Sequence, residues 1–294
     1  MNPATVNTPL LTLSTALAGL VRTVIPSVVS VHSRRSRASG FVWRPGLIVT
    51  ASDALADEGA IEVVFTNGER VEATLKGRDP STDIALLRID RPDLAAMPRA
   101  AESIDTGSLA IVVGASDGAT TAALGIVARV GADWQSVRGG RMGPRIELDV
   151  AMRASAEGGV ALDAAGQPIG MAVFGPRKRV LVIPAHTIER IAAKLDADGR
   201  IARGYLGLSL QPVRIDAGGE GAMVMGVDAT GPGASAGLRQ GDIIVRWNGS
   251  PLRSTHAIVS ELGPDSVGSV VELSAMRAGE PLTFKVTLGA RPDA

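Results

Sequence analysis

The chain is a succession of short β-branched and apolar runs, each bounded by Gly, Pro, Asp or Asn. Gly40 to Trp43 and Leu47 to Thr50 flank a Pro45-Gly46 turn and predict a hairpin. Further strands are predicted at Ser27 to Val31, Ile61 to Phe65, Val71 to Lys76, Ile84 to Ile89, Leu109 to Val113, Gly125 to Val130, Arg145 to Val150, Pro168 to Phe174 and Val180 to Pro184. Many short strands between turn signals indicate β-barrels or sandwiches and not alternating βαβ units.

The length of 294 residues is enough for two domains that each bury a core. We assign residues 26–196 to a first β domain that ends in a helix over Ala185 to Leu195, and residues 197–203, rich in Asp, Gly and Arg, to a linker. A second β domain is expected at residues 204–290, with one helix near Thr255 to Leu262.

Composition excludes several classes of protein. The 30 basic residues balance 30 acidic ones, so the basic surface of a nucleic-acid binder is not expected. There is no cysteine, which excludes disulfides, thiol catalysis and cysteine-based metal sites. With three histidines and few aromatic residues, no cofactor is expected.

The N-terminal segment, residues 1–25, contains an apolar stretch from Pro9 to Ile25 with no basic residue before it. Because Thr12, Ser14 and Arg22 interrupt the stretch, we expect it to be too short and too broken to span a bilayer. Apolar residues at helical spacing predict instead an amphipathic helix packed on the body of the protein: Leu13, Leu17, Leu20 and Val21. Without a recognisable signal peptide, a cytoplasmic location is the default expectation.

The segment Leu148 to Leu162 has the pattern of a tight turn that leads into a buried strand. Small residues and one ionisable side chain, Glu157, precede Gly158-Gly159 and an apolar run. Glycines at this point let backbone N–H groups face a cleft, as in the nucleophile loop of a trypsin-like protease. The nucleophile itself is missing, because a carboxylate stands where a hydroxyl would be needed.

The order of these landmarks resembles the HtrA (Deg) family of bacterial serine proteases, a trypsin-like domain followed by a PDZ domain. Ile48-Val49-Thr50-Ala51-Ser52-Asp53 is similar to the strand that carries the family's catalytic histidine. The segment Gly77 to Leu87 resembles the motif of the triad aspartate, here Asp83, and Leu148 to Ala161 resembles the nucleophile loop. In the second domain, Arg203 to Leu208 resembles the carboxylate-binding loop, and Gly231 to Ile244 resembles the PDZ signature.

The resemblance implies a mostly β protein: a trypsin-like double β-barrel followed by a PDZ domain, a β-sandwich with helices. It also implies a serine endopeptidase, but a protease triad needs a hydroxyl nucleophile and an imidazole base beside its carboxylate. The family's histidine and serine positions hold Asp53 and Glu157 here, and only Asp83 matches. We therefore expect no peptidase activity, and an oxyanion hole that is collapsed or occupied by the Glu157 carboxylate.

Other residues do not replace the missing groups. Ser155 offers a hydroxyl two positions before Glu157, but the turn presents a different residue to the cleft and no base is evident. His32, His186 and His256 match no catalytic position of the family and are interpreted as structural or surface residues.

If the fold is as implied, Asp53, Asp83 and Glu157 converge in one cleft. Carboxylates that converge repel one another, so one of them takes up a proton or the group binds a divalent cation such as Ca²⁺, Mg²⁺ or Mn²⁺. A carboxylate pair that shares a proton could also support general acid–base catalysis. The simplest interpretation is an inert pocket, with Asp53 and Glu157 turned to solvent.

The resemblance assigns peptide binding to Tyr205, Leu206, Gly207 and Leu208, whose N–H groups would bind a C-terminal carboxylate while the peptide adds a strand to the sheet. Its partners would be polypeptide C-termini, or unfolded or partner proteins, and its role that of a scaffold, chaperone or regulator in protein quality control. The alternatives are an active HtrA-type endopeptidase and a cation-binding protein. The family also implies a homo-oligomer, typically a trimer, and a periplasmic location, so the compartment stays open.

Overall fold

The structure is a computed structural model of the chain, and it describes residues 8–34, 36–215 and 219–292. The chain divides into two compact units. The first comprises Met1–Trp134 and Met142–Arg200, and the second comprises Gln135–Arg141 and Ile201–Ala294.

Helix α1, Pro9–Val24, begins after Thr8, whose hydroxyl oxygen accepts a hydrogen bond from the Leu11 N–H at 3.3 Å. Such an N-cap satisfies one of the free N–H groups of the first turn, and proline at the first helical position is favourable there. Only the C-terminal half of α1 packs on the barrels. Leu10 is 78% exposed and Leu13 is 46% exposed, whereas Val24 is 1% exposed.

The structure corrects the expectation that the N-terminal stretch is too short and too broken to span a bilayer. The helical stretch Pro9–Ser27 has 19 residues and a mean hydropathy of 1.4, so by length and composition it could cross a membrane. Thr12 and Ser14 do not interrupt it, because a hydroxyl on a helix can bond to the preceding turn, as Thr12 does to the Thr8 carbonyl at 3.3 Å. A signal sequence has the same properties. Residues 1–7 of the predicted N-terminal segment lie outside the described part of the chain.

Six antiparallel strands form a first closed barrel in the order β1-β2-β3-β6-β5-β4. Its interior is filled by β-branched and leucine side chains, among them Val31, Val42, Ile48 and Leu87. The strands are β1 Val28–Ser33, β2 Ser36–Arg44, β3 Leu47–Ala51, β4 Ile61–Phe65, β5 Arg70–Asp79 and β6 Ile84–Arg88.

The second closed barrel has the order β10-β11-β12-β9-β8-β7, and Val112, Val127, Ile146 and Val182 lie in its core. Helix α2, Ala185–Asp198, follows it and ends at Gly199, which has a left-handed φ of 70°. The strands are β7 Leu109–Ser116, β8 Ala119–Gln135, β9 Arg141–Asp149, β10 Val160–Leu162, β11 Pro168–Phe174 and β12 Val180–Pro184.

Most predicted strands lie within a few residues of their observed bounds. The largest difference is β8, predicted at Gly125 to Val130 and observed over Ala119–Gln135. Its residues are mostly exposed or half-buried, with Val127 the buried exception. Pairing with β7 defines the first part of this strand, and apolar periodicity cannot detect a strand whose side chains mostly face solvent.

The second unit contains one antiparallel sheet in the order β14-β15-β16-β18-β19, with β17 paired to β16, and a small β13-β20 pair. Leu206, Val224, Ile244, Ile258 and Leu273 form part of its core. Its elements are β13 Gly204–Tyr205, β14 Leu208–Arg214, β15 Glu220–Val227, α3 Pro232–Ser235, β16 Ile243–Trp247, β17 Ser250–Pro251, α4 Thr255–Glu261, β18 Val270–Arg277, β19 Glu280–Thr287 and β20 Gly289–Ala290.

A buried histidine joins the two barrels. His32 on β1 places Nε2 3.1 Å from Asp117 Oδ1, in the turn between β7 and β8, and 3.1 Å from the Ser30 hydroxyl. Its Nδ1 lies 3.8 Å from Glu62 Oε2 on β4. The side chain is therefore structural, as its position in the sequence indicates.

His32 makes stability depend on pH. Burial lowers the pKa of its imidazole, Arg37 and Arg70 lower it further, and the Asp117 and Glu62 carboxylates oppose this shift. As pH falls below about 6.5, the unfolded chain binds this proton before the folded chain does, so the free energy of unfolding decreases until the folded pKa is passed. We expect His32→Gln to remove this part of the pH dependence, measured by urea unfolding between pH 7.5 and 5.

The matched control is His186→Gln, since His186 is exposed at the start of α2. An unchanged slope in His32→Gln would contradict the assignment.

Candidate functional site

The loop before β10 is fixed to both barrels by one serine, Ser39 on β2. Its N–H donates to the Glu157 carbonyl at 2.7 Å, and its hydroxyl donates to the Ser155 carbonyl at 2.7 Å. The same hydroxyl accepts from the Ala115 N–H on β7 at 2.9 Å, and the Ser39 carbonyl accepts from the Thr50 hydroxyl at 2.7 Å. No sequence signal singled out Ser39, because a serine within a strand looks like any other polar position.

Glycines make this close approach feasible. Gly158 has a φ of 83°, and a Cβ on it would lie 2.3 Å from the Ser39 carbonyl oxygen. A Cβ on Gly114 would lie 2.5 Å from the Ser39 hydroxyl. A side chain at either position would displace the loop.

Asp83 organises the backbone of the Asp53 loop. It adopts a left-handed conformation with a φ of 57°, and its Oδ1 accepts from the Asp53 N–H at 2.7 Å. Its carbonyl accepts from the Ser52 N–H at 3.2 Å. The Asp53 side chain is exposed. In a protease triad, the carboxylate at the position of Asp83 would orient an imidazole. Here it accepts a hydrogen bond from the main chain of Asp53, the residue at the position of that imidazole.

Glu157 is half-buried, and the structure corrects the expected position of its carboxylate. Its Oε1 accepts from the Phe174 N–H at the end of β11 at 3.1 Å and does not lie against the N–H groups of its own loop. The Glu157 N–H donates to the Ala154 carbonyl at 3.2 Å, closing a 3₁₀ turn over Ala154–Ala156. The resemblance would place that N–H in an oxyanion hole, and here it is engaged by the Ala154 carbonyl.

The electrostatics of Glu157 follow from this position. Burial raises the pKa of its carboxyl group, the Phe174 N–H lowers it, and the negative charge of Asp53 raises it again. The charge of Asp53 therefore acts on Glu157, while Asp83 holds the Asp53 main chain. Among the residues that the structure describes, no group of three or more His, Cys, Asp or Glu side chains could hold a metal ion. The cation-binding interpretation gains no support from this geometry.

The three histidines considered for catalysis lie elsewhere in the structure or outside its described side chains. His32 joins the barrels and His186 is exposed on α2, while the His256 side chain lies outside the described part of the structure. The sequence did not predict the hydrogen bond from the Phe174 N–H to the Glu157 carboxylate. Every residue except proline has a backbone N–H, so the sequence does not show which of them donates to a side chain.

A second site lies in the second unit, in a groove of about 450 Å³ between β14 and α4. Strand β14 is at the edge of its sheet and, among the described strands, pairs only with β15, so its other edge is open to an added strand. Apolar side chains line the groove: Leu206, Leu208, Leu210, Ile258, Val259 and Leu262.

The loop that opens this groove is Tyr205 to Leu208. Gly207 has a φ of 72°, and a Cβ on it would lie 2.9 Å from the Gly231 Cα. The Leu206 and Gly207 carbonyls accept hydrogen bonds at 2.7 and 2.8 Å, while in the described part of the chain the N–H groups of both residues donate to no backbone carbonyl. Tyr205 donates its hydroxyl to Asp228 at 3.2 Å. Two adjacent free N–H groups form a site for an anion.

Comparisons with known proteins agree with both parts of the fold. A model of the trypsin-like peptidase domain matches residues 38–171, and a model of the PDZ domain matches residues 204–288. The serine endoprotease from Yersinia pestis is 26% identical with a TM-score of 0.70, and the match covers 94% of this chain and 98% of that one. The chain has the two domains of HtrA-type proteases in the same order, a trypsin-like peptidase domain followed by a PDZ domain.

Other HtrA-type proteins and their relatives are similar over most of the chain. The HtrA-type protease AlgW with decapeptide has a TM-score of 0.69 at 22% identity, covering 94% of this chain and 99% of that one. Proteins named probable periplasmic serine endoprotease DegP-like are 28% identical in Rhizobium meliloti and 30% identical in Halomonas elongata, over 88% and 92% of this chain. The chain spans 54% and 60% of the length of these two relatives.

In this HtrA-like protein, Glu157 is expected to reduce stability at neutral pH. A carboxyl group with a raised pKa in the folded state contributes most stability when protonated, and this contribution is lost as pH rises from the unfolded value of about 4.3 through the folded pKa. Glu157→Gln keeps an oxygen for the Phe174 N–H and removes the charge. We expect a higher Tm than the natural chain at pH 7 and a smaller difference at pH 4, measured by thermal unfolding.

Glu102→Gln, on an exposed side chain, serves as the control for the loss of one charge. A Glu157→Gln variant no more stable than Glu102→Gln at pH 7 would contradict the burial argument.

Proposed function

We propose that the chain acts by binding polypeptide C-termini in the groove of its PDZ domain and has no peptidase activity of its own. This proposal rests on two features that occur together: the open edge of β14, and the free N–H groups of Leu206 and Gly207 at one end of the groove. A peptide that extends the sheet places its terminal carboxylate at those N–H groups and its last side chain among Leu206, Leu208 and Ile258.

The absence of peptidase activity is argued from the chemistry of the first site. At the positions that the family motifs fill with histidine and serine, the chain has Asp53 and Glu157. An aspartate is a much weaker base than imidazole at neutral pH, and a carboxylate bonded to a main-chain N–H is not an alkoxide-forming nucleophile. The Glu157 N–H is engaged by the Ala154 carbonyl, so stabilisation of an oxyanion is lost as well.

The cellular setting is proposed from the relatives. Their names place them in the periplasm, and α1 has the apolar composition of a signal sequence. We therefore place the chain in the periplasm, as a homo-oligomer that acts as a scaffold, chaperone or regulator in protein quality control. Its partners would be exposed C-termini of unfolded or partner proteins.

Peptide binding is tested with Gly207→Ala. The added Cβ meets the Gly231 backbone, and alanine disfavours a φ of 72°, so the carboxylate-binding loop must move. We expect at least a tenfold loss of affinity for a fluorescein-labelled peptide with an apolar C-terminal residue and a free carboxylate, measured by anisotropy. The same peptide with an amidated C-terminus should bind the natural chain weakly.

Gly226→Ala on β15 is the matched control, because a Cβ there meets only Ser209 at 3.8 Å. Equal affinities of the natural chain and Gly207→Ala, or equal affinities for the free and amidated peptides, would refute binding in this groove.

Peptidase activity is tested with casein. The purified natural chain is expected to degrade casein no faster than buffer, with or without a serine-reactive fluorophosphonate. Glu157→Ser combined with Asp53→His asks whether the two residues alone account for the inactivity. Cleavage by the natural chain that the fluorophosphonate abolishes would establish the alternative, an active serine endopeptidase.

A further inference from the structure

Charge in the PDZ groove is one-sided. The described residues that line it include two charged side chains, Arg203 and Arg291, and no carboxylate. A ligand that enters this groove meets positive charge beside an apolar floor.

The two arginines lie next to each other at the end of the groove that would receive a carboxylate. Strand β20 pairs with β13 through Gly204 and Ala290, and the Arg291 N–H donates to the Arg203 carbonyl at 2.8 Å. Arg203 directly precedes β13, and Tyr205 to Leu208 follows. Arg291 is therefore held beside the loop by its main chain while its side chain is exposed.

Arg291 is the arginine available to a ligand. The Nη2 nitrogen of Arg203 is buried. Arg291 forms no ion pair or hydrogen bond through its side chain with any residue in the described ranges. The nearby carboxylate of Asp228 is engaged by the Tyr205 hydroxyl and by the N–H and hydroxyl of Thr230.

Side chains of an added strand alternate between its two faces. When the last side chain of a bound peptide lies among Leu206 and Ile258, the penultimate side chain points to the opposite, solvent-facing side. We propose that Arg291 selects C-termini with an acidic residue in the penultimate position, so that the class of ligand is an acidic C-terminus with an apolar last residue. This inference rests on the proposed peptide binding.

The test uses three fluorescein-labelled peptides that share an apolar last residue and carry Glu, Gln or Lys before it. We expect the natural chain to bind the Glu peptide about 2- to 5-fold more tightly than the Gln peptide, as for an exposed ion pair, and the Lys peptide less tightly than either. The contrast should shrink at high salt, because exposed charges are screened.

Variants of the full chain separate specificity from binding. Arg291→Gln is expected to remove the difference between the Glu and Gln peptides, and Arg291→Glu to make the Lys peptide the tightest of the three. Arg214→Gln is the matched control, since Arg214 is exposed at the far end of β14 and loses the same charge. It should keep the preference for Glu.

The outcomes distinguish the two proposals. Equal binding of all three peptides by the natural chain, or a preference for Glu that survives in Arg291→Glu, overturns the role of Arg291 and leaves peptide binding in place. Binding of none of the peptides refutes the proposed function, and this inference with it.

Discussion

The buried hydroxyl and backbone of Ser39 determine where the loop before β10 can lie. Through them, β2 of the first barrel bonds to β7 of the second and to the carbonyls of Ser155 and Glu157. Ser39 is fully buried, and leaving a buried hydrogen-bonding group unsatisfied costs about 1–3 kcal/mol. Gly114 and Gly158 keep the space for this contact free of side chains.

The position of the loop before β10, as fixed by Ser39, does not depend on the side chain at position 157. Ser39 bonds to the main chain of the loop, and the Glu157 side chain finds a separate partner in the Phe174 N–H. A trypsin-like fold can therefore hold a nucleophile-type loop whose side chain is a carboxylate. Half-burial of that carboxylate raises its pKa. The stability of the fold around the loop therefore depends on whether Glu157 is ionised.

The PDZ domain presents its groove by other means. Gly207 supplies a left-handed turn in close contact with Gly231, which leaves adjacent N–H groups free, and β14 supplies an unpaired edge. None of this involves Asp53, Asp83 or Glu157. The groove and the loop before β10 therefore depend on different residues.

The sequence by itself predicted the architecture and the loops that carry the two candidate sites. Short apolar runs between turn residues predicted both β domains, and the motifs around Asp83, Glu157 and Gly207 located the loops, because strand periodicity and glycine conformation are local properties. Only the tertiary structure decided what those residues contact. The Glu157 carboxylate meets Phe174, Asp83 bonds to the Asp53 N–H, and Arg291 lies beside Arg203, all through partners that folding brings together from distant parts of the chain. The exposure of the first half of α1 and of most of β8 was also decided by the tertiary structure. Burial of a residue depends on neighbours that are distant from it in the sequence.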